Sequence, residues 1–170
     1  MKFLMSGYTG RMGKNIEALA EAEEMGHLIY GWSRSAEGEK AITKLSQADP
    51  ANIDVIIDFS LPEAFEECLA WAVENKVPFF SGTTGLKQQQ FEQLDRASEK
   101  IPVLWAPNTS VGINFINKLI SGLGKLRGFD FQIIESHHIH KKDAPSGTAL
   151  LLQDTLNDHV DAKVPQPLAI

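Results

Sequence analysis

Cysteine is nearly absent: Cys68 is the only one in 170 residues. A lone cysteine closes no internal disulfide, so nothing points to a secreted, cross-linked scaffold. No run of about 18 apolar residues occurs, so no helical membrane span is expected. A charged-then-apolar leader pattern is missing too, because the chain enters a strand at Phe3. Cytoplasm is therefore the default expectation. Positive charge is short as well, with 16 Lys and Arg against 22 Asp and Glu, a net charge of −6 and a pI of about 5.3. General nucleic-acid binding needs a basic face, so no such partner is expected. An anionic ligand would have to be held by local groups. There is no internal repeat and no low-complexity tract.

What is present is a hydrophobic content of 43%, arranged in short runs separated by helical patterns. The length suits one domain, or one plus part of a second. Phe3-Leu4-Met5-Ser6 reads as a strand running into glycine. Arg11 to Glu24 reads as a helix with Met12, Ile16, Leu19 and Ala20 on one face. Leu28 to Trp32 and Asp54 to Phe59 are further strands, the second a near-continuous apolar run of the kind buried on both faces in parallel sheets. Pro62 opens a helix through Glu74, with Cys68 among Phe65, Leu69 and Ala72 as a small buried hydrophobe. Val77 to Ser81 and Pro102 to Ala106 are strands flanking a helix from Lys87 to Ser98. This alternation through residue 108 predicts an α/β protein with a doubly wound parallel sheet. Beyond it, Val111 to Leu126 reads as one helix with Ile113, Ile116, Leu119, Ile120 and Leu123 inward. Asp130 to Ser136 reads as a strand and Thr148 to Asn157 as a helix. The tail from Val164 has too much proline for a helix. One strand and one helix after residue 130 are too little for a complete second domain.

Gly7-Tyr8-Thr9-Gly10-Arg11-Met12-Gly13 joins the first strand to the first helix. Glycines let backbone N–H groups approach a phosphate, and a helix N-terminus adds partial positive charge. The spacing is G-x-x-G-x-x-G rather than G-x-G-x-x-G, and it gains meaning from its place in a βαβ unit. A ligand-free tight turn is the plain alternative. A Walker P-loop fits worse, since Lys14 is followed by Asn15. An NAD-preferring site carries a carboxylate at the end of the second strand; here stand Ser33 and Arg34, which suit a 2′-phosphate. NADPH is thus expected over NADH. Asp58-Phe59-Ser60 and Gly82-Thr83-Thr84-Gly85 end later strands and would line the same crevice, with Thr83 and Thr84 as hydroxyl partners of a nicotinamide ribose.

Three of the five histidines fall in His137-His138-Ile139-His140, followed by Lys141 and Lys142. Ser146-Gly147-Thr148 then opens a helix, with Ser146 as N-cap. Outward N–H groups at that helix start suit a carboxylate, and histidine and lysine add charge and proton donors. The segment reads as an anion site with an acid attached. Zinc is the weaker alternative, because neighbouring side chains diverge and no Cys, Asp or Glu stands at good ligand spacing. A solvated polar loop is another, and a Schiff-base lysine has no sign of burial behind it.

Together, Gly-x-x-Gly-Arg-Met-Gly, Asp-Phe-Ser-x-Pro-Glu, Gly-Thr-Thr-Gly, Asn-x-Ser-Val-Gly and Glu-x-His-His-x-His-Lys-x-Asp-Ala-Pro-Ser-Gly-Thr-Ala resemble the 4-hydroxy-tetrahydrodipicolinate reductase (dihydrodipicolinate reductase) family, from about Phe3 to about Leu156. The resemblance implies a Rossmann-type dinucleotide-binding domain over 1–108. An α+β substrate-binding and oligomerisation domain over 109–170 would be incomplete in this chain. It implies reduction of the cyclic imine 4-hydroxy-tetrahydrodipicolinate to tetrahydrodipicolinate with loss of water, in lysine/diaminopimelate biosynthesis. NADPH or NADH would be the cofactor, no metal would be used, and the assembly would be a homotetramer. His137 would be the catalytic acid/base and Lys141 the proton donor. His138, Gly147 and Thr148 would hold substrate carboxylates. Gly7, Tyr8, Thr9, Gly10, Arg11, Met12, Ser33, Arg34, Gly82, Thr83, Thr84, Ala106, Pro107, Asn108 and Thr109 would contact the cofactor. The chain departs from the family pattern at Ser33, where members that use NADH well have an acidic residue. It also departs at Leu61, where many have a basic one, and at Thr109, which replaces a common Phe. The family runs well beyond 170 residues, so a non-catalytic NAD(P)-binding module or a shortened inactive paralogue is the alternative. Another Rossmann oxidoreductase, acting on an amino acid or aldehyde, lacks a candidate thiol nucleophile, since Cys68 is badly placed.

Overall fold

Every strand of the N-terminal half is an apolar run, and the pairing explains why. In the computed structural model, which describes residues 1–24, 26–35, 37–137, 139 and 144–169, six parallel strands form one sheet. They are β1 (Lys2–Ser6), β2 (His27–Trp32), β3 (Ala41–Ile42), β4 (Val55–Asp58), β5 (Phe79–Ser81) and β6 (Val103–Trp105), in the order β3-β2-β1-β4-β5-β6. Successive side chains alternate between faces. Leu4 and Ile56 pack with Phe65, Leu69, Phe79 and Leu94 in one core, while Phe3 and Met5 pack with Ala20 and Leu28 in another. With both faces covered near β1, alternation of polar and apolar residues gives way to continuous hydrophobicity. This is a Rossmann-type sheet. One line of register runs across its carboxyl edge through Trp32, Ser6, Asp58, Ser81 and Trp105. Ligands of such sheets bind outside that edge, where the strand order reverses beside β1.

Helix α1 (Arg11–Ala22) corrects one expectation. Its buried residues are Gly13 and Ala20, whereas Met12 and Leu19 are 42% and 56% exposed. At about 100° per residue these two lie on a flank of the helix, roughly 70–95° from the line of Gly13, Ile16 and Ala20. Helix α2 (Pro62–Asn75) begins on proline, buries Phe65, Cys68, Leu69 and Ala72 at helical spacing, and ends on Lys76 in the left-handed region. Helix α3 (Gln88–Ser98) buries Gln90, Leu94 and Ala97. Between β3 and β4 the chain runs through two short 3-10 turns, the second capped by the Asp49 carboxylate, which accepts from Ala51 N–H at 3.1 Å.

Cys68 is fully buried. Burial pushes its thiol well above the usual range; the Asp58 charge adds to this and the Ser6 hydroxyl opposes it. The thiolate is the reactive form. A disulfide reagent is thus expected to leave Cys68 unlabelled at neutral pH in the native protein and to label it fully in denaturant. Rapid labelling without denaturant would contradict the packing.

The compact units are Met1–Pro107 and Asn108–Ile170. In the second, α4 (Val111–Ile120) is capped by Ser110, whose Oγ accepts from Ile113 N–H at 3.4 Å. The single helix expected to Leu126 tightens instead into a 3-10 turn over Ser121–Lys125. There Gly124 lies against the His159 carbonyl, leaving no room for a side chain. Of its expected inward residues, Ile113, Ile120 and Leu123 are half-buried, but Ile116 and Leu119 are 44% and 58% exposed. The expected strand over Asp130 to Ser136 is only β7 (Ile134–Glu135), paired in parallel with β8 (Leu168–Ala169) of the proline-containing tail. A strand is as long as its partner allows, and β8 offers two residues. Helix α5 (Gly147–His159) closes the unit. Among the described residues no helix is long and apolar enough to cross a membrane.

Candidate functional site

The glycine turn meets the sheet at its carboxyl edge. Gly7 has φ +79°, and a Cβ there would run into the Phe59 carbonyl, so only glycine lets β1 pass this close to the end of β4. A Cβ on Gly13 would stand 2.5 Å from the Tyr8 carbonyl and 2.7 Å from that of Gly7, so the first turn of α1 can settle onto the loop. Gly10 N–H donates to the Gly7 carbonyl at 2.9 Å. The Tyr8 ring is turned inward onto Gly31, and its hydroxyl is 3.4 Å from Glu17. Burial, and then the Glu17 carboxylate, hold that phenol above its usual range.

A cavity of about 460 Å³ opens at this turn. Gly7, Thr9 and Gly10 line it from the loop, Trp32, Ser33 and Arg34 from the end of β2, and Phe59, Ser60, Leu61, Glu63 and Ala64 from the β4–α2 junction. Thr9 Oγ1 and Ser33 Oγ lie 3.2 Å apart, and Arg34 is exposed. No carboxylate pairs with Arg34 among the described residues. Backbone N–H groups at a helix start, two hydroxyls and an exposed guanidinium at one rim fit the phosphates of a dinucleotide. Arg11 and Met12 are exposed on the first turn of α1 and do not line the cavity.

Beneath Ser60 lies a feature the sequence did not announce. Asp58 is fully buried, yet among the described residues no lysine or arginine pairs with it. Its Oδ1 accepts from Ser6 Oγ at 2.7 Å and Ser60 Oγ at 2.6 Å; its Oδ2 accepts from Ser81 Oγ and Thr83 Oγ1, both at 2.7 Å. Four hydroxyls thus solvate one carboxylate and tie together the ends of β1, β4 and β5. This corrects the expected role of the Thr83 side chain as a ribose partner: its hydroxyl donates to Asp58, accepts from Ser60 N–H at 3.0 Å, and is 2% exposed. Gly82 is covered by the Phe59 ring, and Thr84 is exposed. Gly82, Thr83, Thr84, Ala106 and Pro107 do not line the cavity described above.

In the second unit, Ser146 caps α5 as expected, accepting from Ala149 N–H at 3.1 Å. Its own N–H donates to Glu135 Oε1 at 2.6 Å. The other oxygen of Glu135 stands 3.6 Å from His137 Nδ1. Gly147 is exposed and Thr148 half-buried. Asn108, expected near the cofactor, makes hydrogen bonds within its own unit: Nδ2 donates to Thr148 Oγ1 at 3.2 Å, and Oδ1 accepts from Ser110 N–H at 2.9 Å. Thr109 is exposed. The calls on His138 and Lys141 lie outside the described residues, as does His140, on which the zinc alternative depended.

A sheet in this order, with a glycine turn under a cleft at its carboxyl edge, defines the Rossmann-type class of dinucleotide-binding oxidoreductases. A family described as dihydrodipicolinate reductase, N-terminus, matches residues 1–109, and its C-terminal counterpart matches residues 112–168. The chain belongs to the dihydrodipicolinate reductase family. It is 44% identical over 170 residues to the 4-hydroxy-tetrahydrodipicolinate reductase of Bdellovibrio bacteriovorus, covering 100% of this chain and 71% of that protein. It is 38% identical to the enzyme of the same name from Pseudoalteromonas atlantica, covering 94% and 66%. The chain thus spans about two thirds of the length of these relatives. The fold is that of a dipicolinate-bound dihydrodipicolinate reductase from Paenisporosarcina sp. TG-14, with a TM-score of 0.80 at 24% identity over 95% of this chain and 67% of that one. An aspartate semialdehyde dehydrogenase II from Vibrio cholerae shares the fold more loosely, with a TM-score of 0.60 at 11% identity, covering 99% of this chain and 66% of that one.

Proposed function

We propose that this chain reduces 4-hydroxy-tetrahydrodipicolinate to tetrahydrodipicolinate with loss of water, in lysine/diaminopimelate biosynthesis, with NADPH preferred over NADH. The observation that carries the reading is the match of both halves of the chain to one reductase family. A non-catalytic module is not favoured, because the named relatives matched along the chain are reductases. The bound nicotinamide supplies the hydride. Gly7, Tyr8 and Gly10 spend their N–H groups on shaping the turn, so the N–H groups of Thr9, Arg11 and Met12 would cradle the pyrophosphate, and Ser33 and Arg34 the ribose 2′-phosphate. Gly82 to Thr84 and Ala106 to Thr109 would contact the rest of the cofactor, the first group through backbone and Thr84. The N–H groups of Gly147 and Thr148, with His138, would hold substrate carboxylates. His137 and Lys141 would supply the proton as negative charge develops on the reduced substrate. A cytoplasmic homotetramer goes with this reading.

The test is NADPH oxidation by the chain with freshly prepared substrate, alongside cofactor binding followed by tryptophan fluorescence, since Trp32 lines the cleft. A charge-assisted hydrogen bond is worth about 1.5–3 kcal/mol. Arg34→Ala is therefore expected to weaken NADPH binding about 10- to 100-fold and NADH binding less than about twofold. Equal affinity of the unaltered chain for the two cofactors would refute the role given to Arg34.

A further inference from the structure

Glu135 joins two parts of the second unit that the family resemblance treats separately. It ends β7, and its side chain is 11% exposed. His137 follows two positions later, which in extended chain places both side chains on one side. Oε2 lies 3.6 Å from His137 Nδ1, an ion-pair distance rather than a hydrogen bond. Oε1 accepts the Ser146 N–H at 2.6 Å. The capping residue of α5 and the imidazole are therefore referred to one largely buried carboxylate.

The two nitrogens of an imidazole are distinct, and the partner of one decides the role of the other. A carboxylate accepts only, so the nitrogen that faces it carries the proton and the opposite nitrogen faces the ligand. With Ser146 N–H committed to Glu135 and Ala149 N–H to Ser146 Oγ, the N–H groups of Gly147 and Thr148 remain as the outward donors of the helix start. We propose that Glu135 is a positioning residue for His137. It turns Nδ1 toward itself, presents Nε2 to the substrate, and holds that nitrogen at a fixed distance from the N–H groups that would take a substrate carboxylate. This rests on the reading of His137 as the acid/base. Catalytic contacts that are long without ligand tighten in the complex, which suits the 3.6 Å spacing.

The test uses the full 170-residue chain labelled with ¹⁵N. Long-range proton–nitrogen correlation spectra report which ring nitrogen of neutral His137 holds the proton, with His137→Ala supplying the assignment. The Nδ1–H form is expected to dominate. In Glu135→Gln the amide oxygen can still accept from Ser146 N–H, while the amide N–H₂ faces Nδ1, so the Nε2–H form is expected to take over. The melting temperature should move by no more than about 3 °C. Loss of the carboxylate that orients a metal-bound histidine costs about 10- to 100-fold; by the same orienting logic kcat should fall by about that factor in Glu135→Gln while KM for substrate stays within about threefold. In a His137→Ala background the same change should alter kcat by less than about twofold. A dominant Nε2–H form in the unaltered chain, or full additivity of the two substitutions, would overturn the proposal. Unchanged turnover in His137→Ala would instead sink the acid/base reading, and the tautomer result would still decide whether Glu135 orients the ring.

Discussion

Replacing His137 and Lys141 together by alanine is expected to lower turnover by about a thousandfold or more while leaving NADPH affinity within about twofold. A positioned acid or base contributes about 10²- to 10⁴-fold. The two groups would serve one proton transfer, so their effects should not multiply; the double variant should be only modestly slower than the worse single one. Among the described residues the glycine cleft is lined by Met1–Pro107 alone, so cofactor binding is expected to survive. Steady-state NADPH oxidation and fluorescence titration check the two halves of this expectation. Rates that stay at the starting value in both single variants would strip both residues of their assigned roles.

Asp58→Ala is expected to destabilise the fold by about 3–5 kcal/mol. The substitution removes the acceptor of four hydroxyls, and a buried donor left without a partner costs about 1–3 kcal/mol. Hydroxyls can rotate toward one another, so the total falls short of four full penalties. Ser6, Ser81 and Thr83 are buried, and a buried hydroxyl without a partner is costly. For a chain of this size the loss corresponds to a melting temperature lower by roughly 10 °C. Asp58→Asn should cost less, since one oxygen can still accept from Ser6 and Ser60 while Ser81 and Thr83 turn to accept from the amide. Denaturant unfolding followed by circular dichroism measures both. A loss under about 1 kcal/mol in Asp58→Ala would show that the hydroxyl cluster is not what secures the strand ends.

The parallel sheet was legible because burial on two faces leaves a plain mark, as in Asp54 to Phe59. Pro62 and Ser146 marked helix starts because proline and a capping hydroxyl suit those positions for local reasons. The two-residue β3 was not legible, since Ala41–Ile42 is too short to carry any periodicity. The true length of β7 depends on Leu168–Ala169, more than thirty positions on, and no local pattern encodes that partnership. Gly7, Gly10, Ser33 and Arg34 of the cleft were read correctly as neighbours in space, because strand ends of a parallel sheet share one edge. The errors concern groups whose chemistry has two uses. The Thr83 hydroxyl looks the same in sequence whether it meets a ribose or a buried carboxylate, and Asp58 reads as an ordinary strand-end residue until its four partners are seen.

The hydroxyl shell around Asp58 also has a bearing on ionic conditions. Surface charges such as the Arg34 guanidinium are screened over about 8–10 Å at ordinary salt, whereas short contacts between neutral alcohols and an enclosed anion have no counter-ion to lose. Added electrolyte should therefore act on the mouth of the cleft, loosening its hold on a phosphate, and leave the platform below it undisturbed.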